Sequence, residues 1–299
     1  MSTIRDPHRP DAHNAPDTHR LIAQAGVAKT KLPWLDLIVK SFLGGVYISI
    51  GGLFDLIIQG GSPGLRASNP ALATLLGGLV FPVGFVLILL TNVELATSNM
   101  FSMAFSTLAR KTTLYDLGRN WVVSYLGNMA GALFFAGILA WWADVFDSDA
   151  ETAYVVTQAE SRVNINWGYN FTRAIGCNWL VGIALYLGTS GRDNVSKIYG
   201  IWIPITTFVV LGYQHCIANY FLIPIGMFYG TNFGVGKFIW ASIIPVTLGN
   251  IIGGAFFMGF SYWLLYGREP ALSNEAGQEI ADDKGSSQSH NGHLNGNAV

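Results

Sequence analysis

Five of the six histidines lie in polar terminal stretches (His8, His13, His19, His290 and His293). The sixth, His215, sits inside an apolar run, GYQHCIAN from Gly212 to Asn219. An ionisable ring in apolar surroundings is costly unless it is paired or faces water, so function is its default reading. A second polar interruption, TNVELATSN from Thr91 to Asn99, carries Glu94 and Thr97. A hydroxyl and free backbone N–H groups beside a helix break suit a small anion. Imidazole adds a group that titrates near neutral pH. Glu94 is read as pinning its irregular loop by accepting backbone N–H bonds. Asn128, Asn178, Asn219 and Asn250 are amides inside apolar stretches, where polar side chains tie helices together. Phe81, Phe85, Leu95 and Phe208 flank the interruptions, placed to form hydrophobic constrictions. Binding and proton exchange are the expected chemistry. The sequence holds no nucleophile–base pair, metal-ligand spacing or cofactor motif, so neither an enzyme nor a cofactor is expected.

The elements that must position these groups are set by composition. The 299 residues are 51% hydrophobic and 12% charged, with mean hydropathy +0.38. Nearly half of the 17 basic and 18 acidic residues crowd into residues 1–40 and 267–299. The remainder cannot build a water-facing surface, so the lipid bilayer is the expected solvent. A net charge of −1 without a basic run argues against nucleic acid as a partner. Cys177 and Cys216 lie in apolar runs without CxxC spacing and read as core thiols.

Six regions reach the roughly 20 apolar residues needed to span a bilayer, near 34–60, 70–108, 118–143, 167–188, 198–230 and 238–266. The second and fifth are overlong and interrupted, the sign of discontinuous helices lining a transport site. The resulting organisation is a cytoplasmic N-terminal segment over 1–33, a transmembrane transport domain over 34–266, and a disordered C-terminal tail over 267–299. Residues 17–32 are expected to form a short surface helix. Lys and Arg favour both termini inside, nine flanking the cytoplasmic side against Arg66, Arg162 and Lys237 outside.

One pattern occurs twice. LGNMAGALFF begins at Leu126 and LGNIIGGAFF at Leu248, which offsets Asn128 from Asn250 by 122 residues. The interruptions match at a similar distance if Glu94 is paired with His215, 121 residues apart. Repeats of three helices, an odd number, must be inverted relative to one another, with the substrate site between them near the midplane. The fold class is therefore an all-α polytopic membrane protein, six helices in two inverted three-helix repeats.

These residues resemble the formate/nitrite transporter family, over about 34–266. The carriers are FPVGFVLILLTNVELATSN from Phe81, GCNWLVGIALYLGTSGR from Gly176, GYQHCIANYFLIPIG from Gly212, and IPVTLGNIIGGA from Ile244. The resemblance implies an aquaporin-like fold and a homopentamer with one pore per protomer, in the plasma membrane. It also implies transport of small monovalent anions, nitrite first and formate second, with protons. In that pattern His215 is the central pore histidine and Thr97 the threonine of the second-span loop. Asn178, Asn219 and Asn250 are family asparagines, and Phe81, Phe85, Leu95 and Phe208 fall at the constrictions. Two positions depart from it. Gln214 stands where many members have Glu, and Arg162 where many have a vestibule lysine. The tails and GYQHC are most similar to fungal nitrite transporters. Asn69-Pro70-Ala71 spells the NPA of aquaporins, but without a second copy it reads as helix capping. The competing reading is a water or glycerol channel on the same fold.

Overall fold

A computed structural model describes residues 11–268. The expected disordered tail lies outside the described residues apart from its first two positions. In chain order the helices are α1 (Ala15–Thr30), α2 (Trp34–Gly60), α3 (Pro70–Leu90), α4 (Ala96–Leu108), α5 (Leu114–Trp142), α6 (Asp149–Val163), α7 (Trp167–Ser190), α8 (Asn194–Val210), α9 (Cys216–Phe228) and α10 (Val235–Gly267). On length and composition, α2, α3, α5 and α10 suffice to cross a membrane. Polar residues such as Asn170, Thr172 and Arg173 dilute the apolarity of α7. At 17 and 13 residues, α8 and α9 are each shorter than the roughly 30 Å hydrocarbon layer. Asn69 accepts the Leu72 N–H at 3.1 Å, the capping role expected of it.

The two interruptions have one geometry. Asn92 (φ 54°) and Gly212 (φ 66°) each turn the chain through the left-handed region, which Asn tolerates and Gly enters freely. The Val93 N–H then bonds to Ile88 O, and Tyr213 N–H to Phe208 O. Each break ends at the cap of a 13-residue helix, Leu95 for α4 and His215 for α9.

The duplicated LGN pattern has a packing cause. A Cβ on Gly127 or Gly131 would run into Ser41 or Phe42 of α2, and one on Gly249 or Gly253 into Phe171 or Ile175 of α7. Two helix pairs, α2 with α5 and α7 with α10, thus approach until backbone touches backbone. The same approach carries each Asn into its break. The Asn128 amide donates to Ser41 O at 2.6 Å and Glu94 O at 2.8 Å, and its Oδ1 accepts the Ala96 N–H at 2.8 Å. The Asn250 amide donates to Ala174 O at 2.8 Å and Gln214 O at 3.0 Å, and its Oδ1 accepts the Cys216 N–H at 2.8 Å. These bonds correct the register read from the sequence. Glu94 matches Gln214, and Leu95 matches His215, because the residue after the clamped carbonyl stands at the N-cap position of the helix in each half.

Helix α1 has the expected extent and is a surface helix with one face docked. It packs on α4 and α7, burying Thr18, His19, Ile22 and Gly26. His19 Nδ1–H donates to Ala15 O at 2.6 Å, and its ring lies 4.2 Å from that of Tyr266, among Phe105, Tyr186 and Tyr262. Burial holds this imidazole below its ordinary value of 6.5. The docked helix therefore binds fewer protons than a released one, so docking is strongest above pH 6.5 and weakens as pH falls below it. Limited proteolysis of α1 should accelerate from pH 7.5 to pH 5, and His19→Phe should remove that difference.

Candidate functional site

The N-termini of α4 and α9 converge. Thr97, at the second position of α4, places Oγ1 2.7 Å from Nε2 of His215, the cap of α9. Both residues are buried. The Ala218 N–H donates into His215 Nδ1 at 3.0 Å, which requires a lone pair there. The neutral ring then carries its proton on Nε2 and donates it to Thr97 Oγ1. The Thr97 hydrogen is left free to serve a third group. Two positive helix ends and a hydroxyl donor at one point make an anion-favouring centre. Asn178 closes it from α7, donating to Thr97 O at 3.1 Å and Asn250 O at 2.7 Å.

A cavity lies on either side. One, of about 100 Å³, is lined by Lys29 of α1 with Leu95, Ser98 and Asn99. The other, of about 40 Å³, is lined by Arg162, Asp55, Gln214, His215 and Asn219 together with Phe81 and Phe208. Each exceeds the roughly 15 Å³ that one water requires. Phe81 and Phe208 meet edge to face at 5.7 Å, and Phe208 stacks over the His215 ring at 6.0 Å. Leu95 lines the larger cavity and not the smaller. Phe85 is buried but lines neither cavity.

Among the described residues, the Glu94 carboxylate accepts from side chains and from no backbone N–H. Lys29 Nζ reaches its Oε1 at 2.6 Å, and the amides of Asn99 and Asn120 donate to Oε2 at 2.8 and 3.0 Å. In the other half the Asn219 amide donates to Gln214 Oε1 and Ser242 Oγ, both at 3.1 Å. The frame repeats but the charge does not. Of the residues singled out from the sequence, the structure brings His215, Thr97, Asn178 and Asn250 together and lines the neighbouring cavity with Gln214, Asn219 and Arg162. Lys29, Asn99, Asn120 and Asp55 also stand beside this centre and were not singled out. An acid inside the first apolar span was a readable signal for Asp55, whereas nothing local pairs Lys29 with Glu94. Lys29→Ala strands a carboxylate that is 1% exposed and should remove about 3 kcal/mol of stability. Adding Glu94→Gln should recover most of the lost melting temperature in detergent.

Apolar helices around two converging helix N-termini, with cavities beside them, fit a membrane transport protein. The chain belongs to the formate/nitrite transporter family, whose model matches residues 16–264, α1 included. It is 39% identical over 270 residues to the probable formate transporter of Methanothermobacter thermautotrophicus, covering 85% of this chain and 97% of that one. It is 37% identical to the formate channel BtFdhC of Bacillus thuringiensis, covering 86% and 97%. A solved pentameric formate channel with formate bound superposes with TM-score 0.65 at 26% identity, covering 85% of this chain and 99% of the channel.

Proposed function

We propose that the protein moves a small monovalent weak-acid anion, formate or nitrite, across the plasma membrane, as a homopentamer with one path per protomer and both termini cytoplasmic. The observation that carries this reading is the 2.7 Å Thr97–His215 contact where two helix N-termini meet. The names of the relatives favour formate over the nitrite preference read from the sequence. Arg162 draws the anion into the outer cavity, and the anion passes Phe81 and Phe208 to the Thr97 hydroxyl. Leu95 and the cavity beside Lys29 form the inner exit. Desolvating a bare charge between aromatic rings is expensive, so a proton travels with it.

Uptake of labelled formate into proteoliposomes, driven by an inward proton gradient and competed by nitrite, tests the reading. The expected result is saturable uptake above that of protein-free vesicles. Swelling in glycerol without anion uptake would overturn it in favour of a neutral-solute channel.

A further inference from the structure

The two halves differ in where they keep their charges. Lys29 and Glu94 are in contact at 2.6 Å. Across the pseudo-symmetry Gln214 is neutral, and the cation on its side, Arg162, donates no side-chain hydrogen bond within the described residues. A carboxylate is nevertheless present. Asp55, near the end of α2 and 3% exposed, lines the same cavity as Arg162, Gln214 and His215. Gln59 Nε2 donates to its Oδ1 at 2.6 Å, and its second oxygen accepts nothing from the described residues. Arg162 and Asp55 act on one another electrostatically, yet no ion pair within 4 Å joins them. An unpaired guanidinium and an unpaired carboxylate therefore share one small cavity.

We propose that Asp55 is the proton-binding group of the Arg162 vestibule: protonating its carboxyl removes the negative charge that offsets Arg162 across the cavity, so that anion and proton occupy this mouth together. Ionised Asp55 neutralises Arg162 and repels an incoming anion. Protonated Asp55 does neither and can donate to the anion. By linkage, each ligand then raises the affinity for the other by the same factor. This rests on the transport reading above and locates its proton. His215 fits that task less well, since protonating Nδ1 would break the bond from the Ala218 N–H that caps α9.

The other groups facing Asp55 do not offer the same switch. From α6, Tyr154 adds a phenol beside Arg162, with the Arg66 guanidinium 4.4 Å above its ring. The Leu211–His215 break adds Tyr213, Gln214 and the capped His215, and α9 adds the amide of Asn219. The Pro70–Val80 segment of α3, packed on α2 at Gly77, carries no charged residue.

The test is the apparent KM for labelled formate in proteoliposomes as external pH is stepped from 5.5 to 7.5. Internal pH is fixed and leak into protein-free vesicles subtracted. Wild-type KM should rise about tenfold across that range. Asp55→Asn, which keeps the bond from Gln59, should hold a low KM that does not vary with pH, and Asp55→Glu should restore the slope. If Asp55→Asn does not reach the membrane, Asp55→Ser serves instead, with the same low and flat KM expected. A wild-type slope surviving in Asp55→Asn or Asp55→Ser would overturn the proposal alone. No uptake by the wild type would overturn the transport reading and this proposal with it.

Discussion

A His215→Phe variant is expected to carry formate and nitrite between ten and a hundred times more slowly than the wild type. The imidazole does two jobs at once. Its Nδ1 accepts the Ala218 N–H, and its Nε2–H donates to Thr97 Oγ1, turning the threonine hydrogen toward the path. Phenylalanine leaves the N–H unpaired and lets the hydroxyl turn away. Losing a hydrogen bond to a charged species in an apolar site costs about 1.5–3 kcal/mol, which sets the fold-change. His215→Asn separates the jobs. Asparagine is a good helix cap but is too short to reach Thr97, so this variant should assemble normally and still transport slowly. Initial rates in proteoliposomes of equal protein content decide the matter, and wild-type rates in both variants would remove His215 from the mechanism.

The second large effect is on folding. Asn250→Ala should leave one buried N–H and two buried carbonyls without the amide that joins them. At roughly 1–3 kcal/mol for each unsatisfied group, about 4 kcal/mol is lost, against a total stability of about 5–15 kcal/mol for many proteins. The expected outcome is little protein in the membrane, and a melting temperature in detergent well below that of His215→Asn. Asn128→Ala removes the matching bonds of the other break and should behave alike. A normally folded Asn250→Ala protein, by size-exclusion profile and thermal unfolding, would contradict the clamp.

Much of this was legible beforehand, for physical reasons. Apolar length marks a span, and a polar run inside one marks a break, so both interruptions could be placed from spacing. The LGN repeats were visible because close helix approach demands Gly at fixed positions. What escaped is what depends on side-chain reach between distant segments. Glu94 reads as a loop residue until Lys29 arrives from α1, and nothing in the sequence of α1 says where its one buried face docks until His19 enters its aromatic cage. The pairing of Glu94 with Gln214 rather than His215 was hidden by a difference of one residue. Only the carbonyl that each clamp selects could resolve it.

The clamps also bear on how the chain is made. Each break is closed by an asparagine on the helix that follows it, α5 after α3 and α4, and α10 after α8 and α9. During vectorial synthesis, the exposed carbonyls of a broken span therefore wait only for the next helix to emerge, never for the opposite half. Each half carries the means to close its own break. The Thr97–His215 contact, by contrast, cannot form until both halves are complete and docked. A chain stalled between them would hold one finished break and no path.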